Sequence, residues 1–111
     1  MPAAKTDSKI YLRPAEILQK LIRFNTTNPP GNEAACISYI RDLLNDAGIP
    51  STIIARKPER PNLIAHIEGR GKANPILLYG HVDVVGTENQ QWDFPPFDGT
   101  LVDGVVWGRG A

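Results

Sequence analysis

Glycine and proline divide this chain into short segments, and their placement restricts most what the chain can fold into. Together they account for 20 of the 111 residues, about 18% against a usual share of roughly 12%. The run Pro29–Gly31 forbids a continuous helix, and Gly48 followed by Pro50 ends any helix that precedes them. Six of the last seventeen residues are glycine or proline, so the chain after Val85 is predicted to be tightly turned loop.

Two amphipathic helices are predicted between these breaks. Pro14 suits a first helical turn, and apolar residues recur at helical spacing up to Phe24, which predicts a helix over Pro14–Phe24. Asn32 is a good N-cap residue, and apolar residues at three- and four-residue spacing up to Ala47 predict a helix over Asn32–Ala47. Residues 1–13 are expected to be a loose leader.

Short β-forming segments follow the helices. Thr52–Ala55 and Asn62–Glu68 are predicted strands. Ile76–Tyr79 is apolar on both faces, which predicts a central strand that is covered on both sides. Asp103-Gly104 lies between two β-forming segments, and such a two-residue turn predicts a hairpin. This order of elements indicates an α/β protein with a layered core and a mixed sheet.

Composition and charge exclude several classes of protein. Lysine plus arginine number 12, as do aspartate plus glutamate, so the chain lacks the cationic excess of a broad nucleic-acid-binding surface. Its longest apolar run is far shorter than the roughly 20 residues of a membrane span, and no secretory signal is visible. The single cysteine, Cys36, excludes an internal disulfide. We therefore expect a cytoplasmic protein without nucleic-acid or membrane partners.

The candidate chemistry lies in the segment Tyr79–Val85. His81 follows the predicted buried strand, where open α/β sheets usually place ligands. His81 and Asp83 are two residues apart and point the same way in an extended chain. A carboxylate that accepts the imidazole N–H leaves the other ring nitrogen free for a metal. The pair also fits two members of a nucleophilic triad, although no nucleophile is evident, and His-x-Asp occurs by chance. Spacing alone leaves these alternatives open.

Other chemically capable residues have a structural interpretation that we prefer. His66 is expected on the exposed face of its strand, and Cys36 inside a helix. Arg109 is flanked by glycines and is expected to organise its loop rather than to bind a substrate carboxylate. The loop Asn28–Glu33 is expected to position the second helix rather than to take part in chemistry. Packing of the proline-rich loop is the preferred role of four aromatic residues, namely Trp92, Phe94, Phe97 and Trp107.

Four ordered motifs resemble one known family. They are Asn28–Glu33 (NPPGNE), Leu77–Val85 (LLYGHVDVV), Trp92–Gly99 (WDFPPFDG) and Asp103–Ala111 (DGVVWGRGA). Together they are similar to the N-terminal part of the dinuclear zinc amidohydrolases and peptidases. That family includes aminoacylase, acetylornithine deacetylase, succinyl-diaminopimelate desuccinylase and glutamate carboxypeptidase. The resemblance covers nearly the whole chain from Pro14 onward.

The resemblance implies a fold, a cofactor and a reaction. The fold is a three-layer α/β/α zinc-exopeptidase-like catalytic domain with a smaller inserted domain for the lid or for dimerisation. His81 corresponds to a zinc ligand, and Asp83 to the catalytic carboxylate that orients it. Family members cleave an amide bond next to a free carboxylate, in N-acyl amino acids or short peptides. A zinc-bound water of lowered pKa attacks the carbonyl.

The resemblance also implies that much of the enzyme lies outside these 111 residues. The bridging aspartate, the glutamate pair with the general base, the remaining ligands and the inserted domain are not among them. We expect residues 14–111 to be an N-terminal fragment that binds one zinc ion weakly or none, is inactive alone, and self-associates. The alternative is a non-catalytic binding or assembly module that keeps the family fold.

Overall fold

The computed structural model of this protein describes residues 9–111. Two helices precede four short strands: α1 (Pro14–Ile22), α2 (Ala34–Asp46), β1 (Ser51–Ile54), β2 (Asn62–Ala65), β3 (Thr100–Val102) and β4 (Val105–Trp107). The strands form two separate antiparallel pairs, β1 with β2 and β3 with β4. Of the expected leader, residues 1–8 lie outside the described residues, and Ile10–Leu12 forms one 3-10 turn. The molecule is thus a small mixed α/β structure.

Both predicted helices are confirmed, within two residues at each end. Helix α1 begins at Pro14 as expected, because the missing N–H of proline costs nothing in the first turn. The two helices meet through aromatic side chains: the ring centroids of Phe24 and Tyr39 are 5.7 Å apart. The ammonium group of Lys20 lies 5.7 Å from the first centroid and 5.8 Å from the second. The helices therefore pack at the point where α1 gives way to the loop that follows it.

The buried apolar residues of the described part form a small core between the helices. They are Ile22, Cys36 and Ile37. The predicted burial of Cys36 is confirmed. Burial raises the pKa of its thiol, and the nearby carboxylate of Glu33 raises it further, so the side chain packs as a small neutral apolar group. No helix among residues 9–111 is long and apolar enough to cross a membrane.

The predicted hairpin at the end of the chain is confirmed. Strands β3 and β4 pair in register through the turn at Asp103 and Gly104, whose φ angles are +50° and +78°. Two consecutive positive φ values are the signature of a type I′ turn, whose twist matches that of the flanking strands. The hairpin lies against α1, because Gln19 Nε2 donates to the Gly99 carbonyl at 2.7 Å and Arg23 Nε donates to the Asp98 carbonyl at 2.9 Å.

Gly99 is the residue at which this contact leaves least room. A Cβ atom there would lie 2.9 Å from the backbone oxygen of Gln19, and its φ is +67°. Gly99→Ala is expected to lower the free energy of unfolding by about 2–5 kcal/mol, the sum of left-handed strain and overpacking. Gly104→Ala is the matched control: its φ is also positive, but no atom lies within 4 Å of the added Cβ. That control should lose only about 1–2 kcal/mol. Urea denaturation measures both, and equal losses would contradict a tight contact at Gly99.

The predicted central strand Ile76–Tyr79 is wrong for this structure. The segment forms no strand, and its four side chains are 84% to 94% exposed. A central strand needs hydrogen-bonding neighbours and a covering layer on each face. Strands β1 and β2 pair only with each other, and no other described residue bonds to the backbone of Ile76–Tyr79. Its apolar sequence is thus left without the surroundings that a central strand requires.

The predicted mixed sheet is likewise not formed within residues 9–111. The only parallel pairing there is a single bridge between Thr27 and Val84. Strand β2 ends at Ala65 rather than at the predicted Glu68. Apolar residues of the strands are exposed, among them Ile54, Ile64 and Leu101, because the described part of the chain supplies no further sheet neighbours to cover them.

Candidate functional site

Two loops pair with each other to place the candidate site. The backbone N–H of Asn28 donates to the Val84 carbonyl at 2.8 Å, and the N–H of Val84 donates to the Thr26 carbonyl at 3.1 Å. The buried Thr26 hydroxyl donates to the Val82 carbonyl at 2.5 Å. The loop after α1 thus fixes the backbone on both sides of Asp83. His81 and Asp83 are positioned by this pairing, and not by the end of a buried strand as the sequence predicted.

The predicted contact between His81 and Asp83 is confirmed. His81 Nδ1 lies 2.8 Å from Asp83 Oδ1 and 2.9 Å from the Asp83 carbonyl oxygen. Both of these partners are acceptors, so Nδ1 is the nitrogen that carries the proton. The Nε2 atom is then the one with a free lone pair. The His81 side chain is 83% exposed, so that nitrogen is accessible to an incoming group.

The second carboxylate oxygen of Asp83 is held separately from the first. Asn28 Nδ2 donates to Asp83 Oδ2 at 2.9 Å, and Arg60 Nη2 lies 3.5 Å from the same oxygen. These contacts lower the pKa of Asp83, the hydrogen bond from Asn28 contributing most and that from His81 next. The carboxylate is therefore ionised at neutral pH, which makes it a strong acceptor for the imidazole N–H.

An ion pair between the half-exposed Arg60 and the buried Glu33 supports this arrangement on the side of Asp83 Oδ2. Arg60 donates from Nε and Nη2 to Glu33 Oε1 at 3.2 and 3.0 Å, and the Glu33 side chain is 7% exposed. The hydrogen bond to Glu33 is the largest contribution to the raised pKa of Arg60. Sequence reasoning missed Asn28, Glu33 and Arg60 as site residues. The first two lie in a motif that we assigned to helix positioning, and no spacing signal connects Arg60 to Asp83.

Clefts open on both sides of the segment that carries His81 and Asp83. One has a volume of about 780 Å³ and is lined on its polar side by Glu33, Arg56, Lys57 and Arg60. The other has a volume of about 260 Å³ and is lined mainly by apolar residues of the helices and of the turn after α1, including Leu18, Leu21, Ile22, Phe24 and Cys36. His81 and Asp83 line both clefts. A ligand of His81 therefore has room on either side.

The described residues do not make a complete metal site. Among residues 9–111 there is no group of three or more histidine, cysteine, aspartate or glutamate side chains that could hold a metal ion. Zinc takes about three protein ligands even in an open catalytic site. His81 offers one nitrogen, and Asp83 is engaged with the proton-bearing side of that ring. The part of the chain described here thus fits one ligand of a zinc site and no more.

The remaining candidates from the sequence make no hydrogen bond or ion pair with His81 or Asp83. One is exposed elsewhere, and the others make contacts within the proline-rich loop. The His66 side chain is exposed, as predicted, and lies 3.7 Å from Glu68. Arg109 stacks over Trp92 at 4.9 Å, its side chain bonds to Gln90, and its backbone N–H donates to the Pro96 carbonyl at 2.8 Å. These contacts fit the loop-organising role predicted for Arg109, which also lines the smaller cleft beside His81. The rings of Phe94 and Trp107 pack against each other at 5.2 Å, as expected for aromatic residues that anchor the loop.

Comparison with known proteins finds relatives that share one kind of activity. The chain is 36% identical over 97 residues to a probable succinyl-diaminopimelate desuccinylase of Staphylococcus epidermidis. It is 37% identical over 98 residues to the protein of that name in Staphylococcus aureus. It is 33% identical over 99 residues to an N-formyl-4-amino-5-aminomethyl-2-methylpyrimidine deformylase of Halalkalibacterium halodurans. Each match covers 86% of this chain, which spans only 23% of the relative's length. No family model matches the chain.

Proposed function

Since the chain belongs to the amidohydrolase and peptidase family of the succinyl-diaminopimelate desuccinylases, as an N-terminal part of it, we propose that His81 is a metal ligand of an amide-bond hydrolase. Asp83 is the catalytic carboxylate that orients this ligand. The observation that carries the proposal is the 2.8 Å contact between His81 Nδ1 and Asp83 Oδ1. It fixes the proton on Nδ1 and directs the Nε2 lone pair outward, as a metal-binding imidazole requires.

The chemistry that these two residues perform is electrostatic and positional. The ionised carboxylate of Asp83 holds the imidazole in one tautomer and raises the basicity of Nε2. Zinc, when bound, polarises the amide carbonyl and lowers the pKa of a coordinated water. The described residues do not complete the zinc site, so the general base and the other ligands belong to parts of the enzyme beyond residues 9–111.

The proposed substrate is an amide next to a free carboxylate, in an N-acyl amino acid or a short peptide. The names of the relatives describe removal of a succinyl group and of a formyl group from nitrogen, and both reactions break an amide bond. The neighbouring carboxylate is taken from the diaminopimelate of the first name, because the pyrimidine of the second has none. We further propose that residues 14–111 belong to a three-layer α/β/α catalytic domain in a cytoplasmic enzyme. The unpaired edges of β1 and β2 and the apolar Ile76–Tyr79 segment support a larger sheet.

A chimeric enzyme tests this function. Residues 14–111 would replace the matching segment of the Staphylococcus aureus desuccinylase, and hydrolysis of N-succinyl-diaminopimelate would be followed. In an active chimera, His81→Ala is expected to lower kcat/KM by more than about 100-fold, and Asp83→Asn by about 10- to 100-fold, the usual cost of removing the group behind a metal ligand. Zinc content, measured by metal analysis, should fall in parallel.

His66→Ala is the matched control for the chimera. It removes the other histidine of the chain at an exposed position away from Asp83, and it should leave kcat/KM within about twofold of the parent. Equal losses in both histidine variants would contradict a special role for His81. A folded chimera that binds another macromolecule but neither zinc nor substrate would favour the alternative, a non-catalytic binding or assembly module.

A further inference from the structure

The two oxygens of Asp83 have separate partners. Oδ1 accepts the proton of His81 Nδ1 at 2.8 Å, whereas Oδ2 accepts a hydrogen bond from Asn28 Nδ2 at 2.9 Å. A carboxylate that is held at one oxygen only can rotate about its terminal torsion, which is broad. The contact from Asn28 restricts that rotation and keeps Oδ1 directed at the imidazole.

Asn28 is itself fixed by the backbone that surrounds Asp83. Its N–H donates to the carbonyl of Val84, and the N–H of Val84 donates back to Thr26. The hydroxyl of the buried Thr26 then reaches the carbonyl of Val82. Hydrogen bonds from this loop to Val82 and Val84, the residues on either side of Asp83, therefore hold the side-chain amide of Asn28 beside Oδ2.

Arg60 is held behind the same oxygen by Glu33. The guanidinium makes two contacts shorter than 3.3 Å with Glu33 Oε1 and lies 3.5 Å from Asp83 Oδ2. The chain passes close to this group at Gly31, where a Cβ atom would lie 2.5 Å from Arg60 Nε. The charge of Arg60 is thus kept on the side of Asp83 that faces away from His81.

We propose that Asn28 is a positioning residue that selects the tautomer of His81 through Asp83, with the charge of Arg60 reinforcing it. This inference rests on the proposed function of His81 and deepens it. Without the amide of Asn28, the carboxylate rotates and the imidazole loses its best acceptor. Only the backbone carbonyl of Asp83, at 2.9 Å, then favours the proton on Nδ1. The tautomer that is protonated on Nδ1, and so leaves the Nε2 lone pair free for a metal, becomes less populated.

Nitrogen-15 NMR of the imidazole rings in the 111-residue chain tests this inference. Long-range proton–nitrogen spectra report the tautomer, and they are recorded at rising pH until the ring signals stop changing, so that the neutral ring is compared in every variant. Asn28→Ala is expected to lower the ratio of Nδ1-protonated to Nε2-protonated His81 by about 2- to 10-fold, the equivalent of one hydrogen bond. Arg60→Gln should give a smaller change in the same direction, because its contact is longer.

Two controls separate positioning from general damage to the fold. Asn25→Ala changes the same residue type in the same loop, where Asn25 bonds to Thr27 and not to Asp83, and it should leave the His81 tautomer unchanged. His66 provides an internal reference, because its ring signals should not move in any variant.

Asn28→Leu gives a second variant of similar size that lacks the donor and adds no charge, and it should reproduce the effect of Asn28→Ala. An unchanged His81 tautomer in either folded Asn28 variant would overturn the inference. So would failure of both variants to fold, because it would show that Asn28 serves the stability of the loop. The spectra need neither zinc nor substrate, so their outcome is independent of the activity of the chimera.

Discussion

The 111-residue chain is expected to hydrolyse no N-acyl amino acid at a detectable rate and to hold no dinuclear zinc site. The reason is the number of donors. His81 offers one nitrogen, Asp83 is engaged behind it, and residues 9–111 contain no group of three metal-binding side chains. A catalytic zinc takes about three protein ligands. The glutamate that lines the cleft beside His81, Glu33, is already paired with Arg60, so it is a poor acceptor for a proton from an attacking water.

Native mass spectrometry with and without added zinc measures how many zinc ions each chain binds. An assay of N-acyl amino acid hydrolysis measures the activity. The active chimera described above is the positive control, since it contains residues 14–111 unchanged and differs only in the residues on either side of them. Two tightly bound zinc ions per chain, with turnover that is lost in His81→Ala, would show that the donor count is wrong.

The second large effect is expected in self-association, which we propose occurs through the exposed segment Ile76–Tyr79. Its four residues are 84% to 94% exposed and form a contiguous, largely apolar patch, the kind of surface that marks a site of association. The free edges of β1 and β2 offer hydrogen bonds to an added strand. We expect the average mass to rise with concentration up to about 100 µM.

Leu77→Lys tests this proposal by placing a charge in the segment. Burial of a leucine contributes about 1.5–3 kcal/mol, so the substitution should weaken association by at least about tenfold. Leu12→Lys is the matched control, because Leu12 is also exposed but lies outside the segment. Sedimentation equilibrium should show monomeric Leu77→Lys and an unchanged Leu12→Lys. A parent chain that stays monomeric throughout would contradict the proposal.

Elements whose cause is local could be predicted from the sequence. Helix α1 begins at Pro14 and the final hairpin turns at Asp103-Gly104, because proline geometry and a tolerance of positive φ act within a few residues. The contact between His81 and Asp83 was predictable for the same reason, since two positions in an extended chain share one face.

Features that depend on distant partners could not be predicted in the same way. Ile76–Tyr79 has the sequence of a buried strand, but burial requires neighbours, and none of the described elements supplies them. Asn28 and Arg60 reach Asp83 across 55 and 23 residues of sequence, a separation at which no periodicity operates. A single sequence carries no spacing rule that would connect a loop asparagine and a turn arginine with one carboxylate.

The attachment of α1 to the last hairpin determines when this chain can fold during its synthesis. Its hydrogen bonds from Gln19 to Gly99 and from Arg23 to Asp98 span 80 and 75 residues, so a long loop must close before either can form. At about 5–20 residues per second, the ribosome adds Gly99 roughly 4–16 s after Gln19. Throughout that interval Ile22 can pack against α2 but not against Gly108, beside which the folded protein buries it. The first helix to be made is therefore among the last to reach its final contacts.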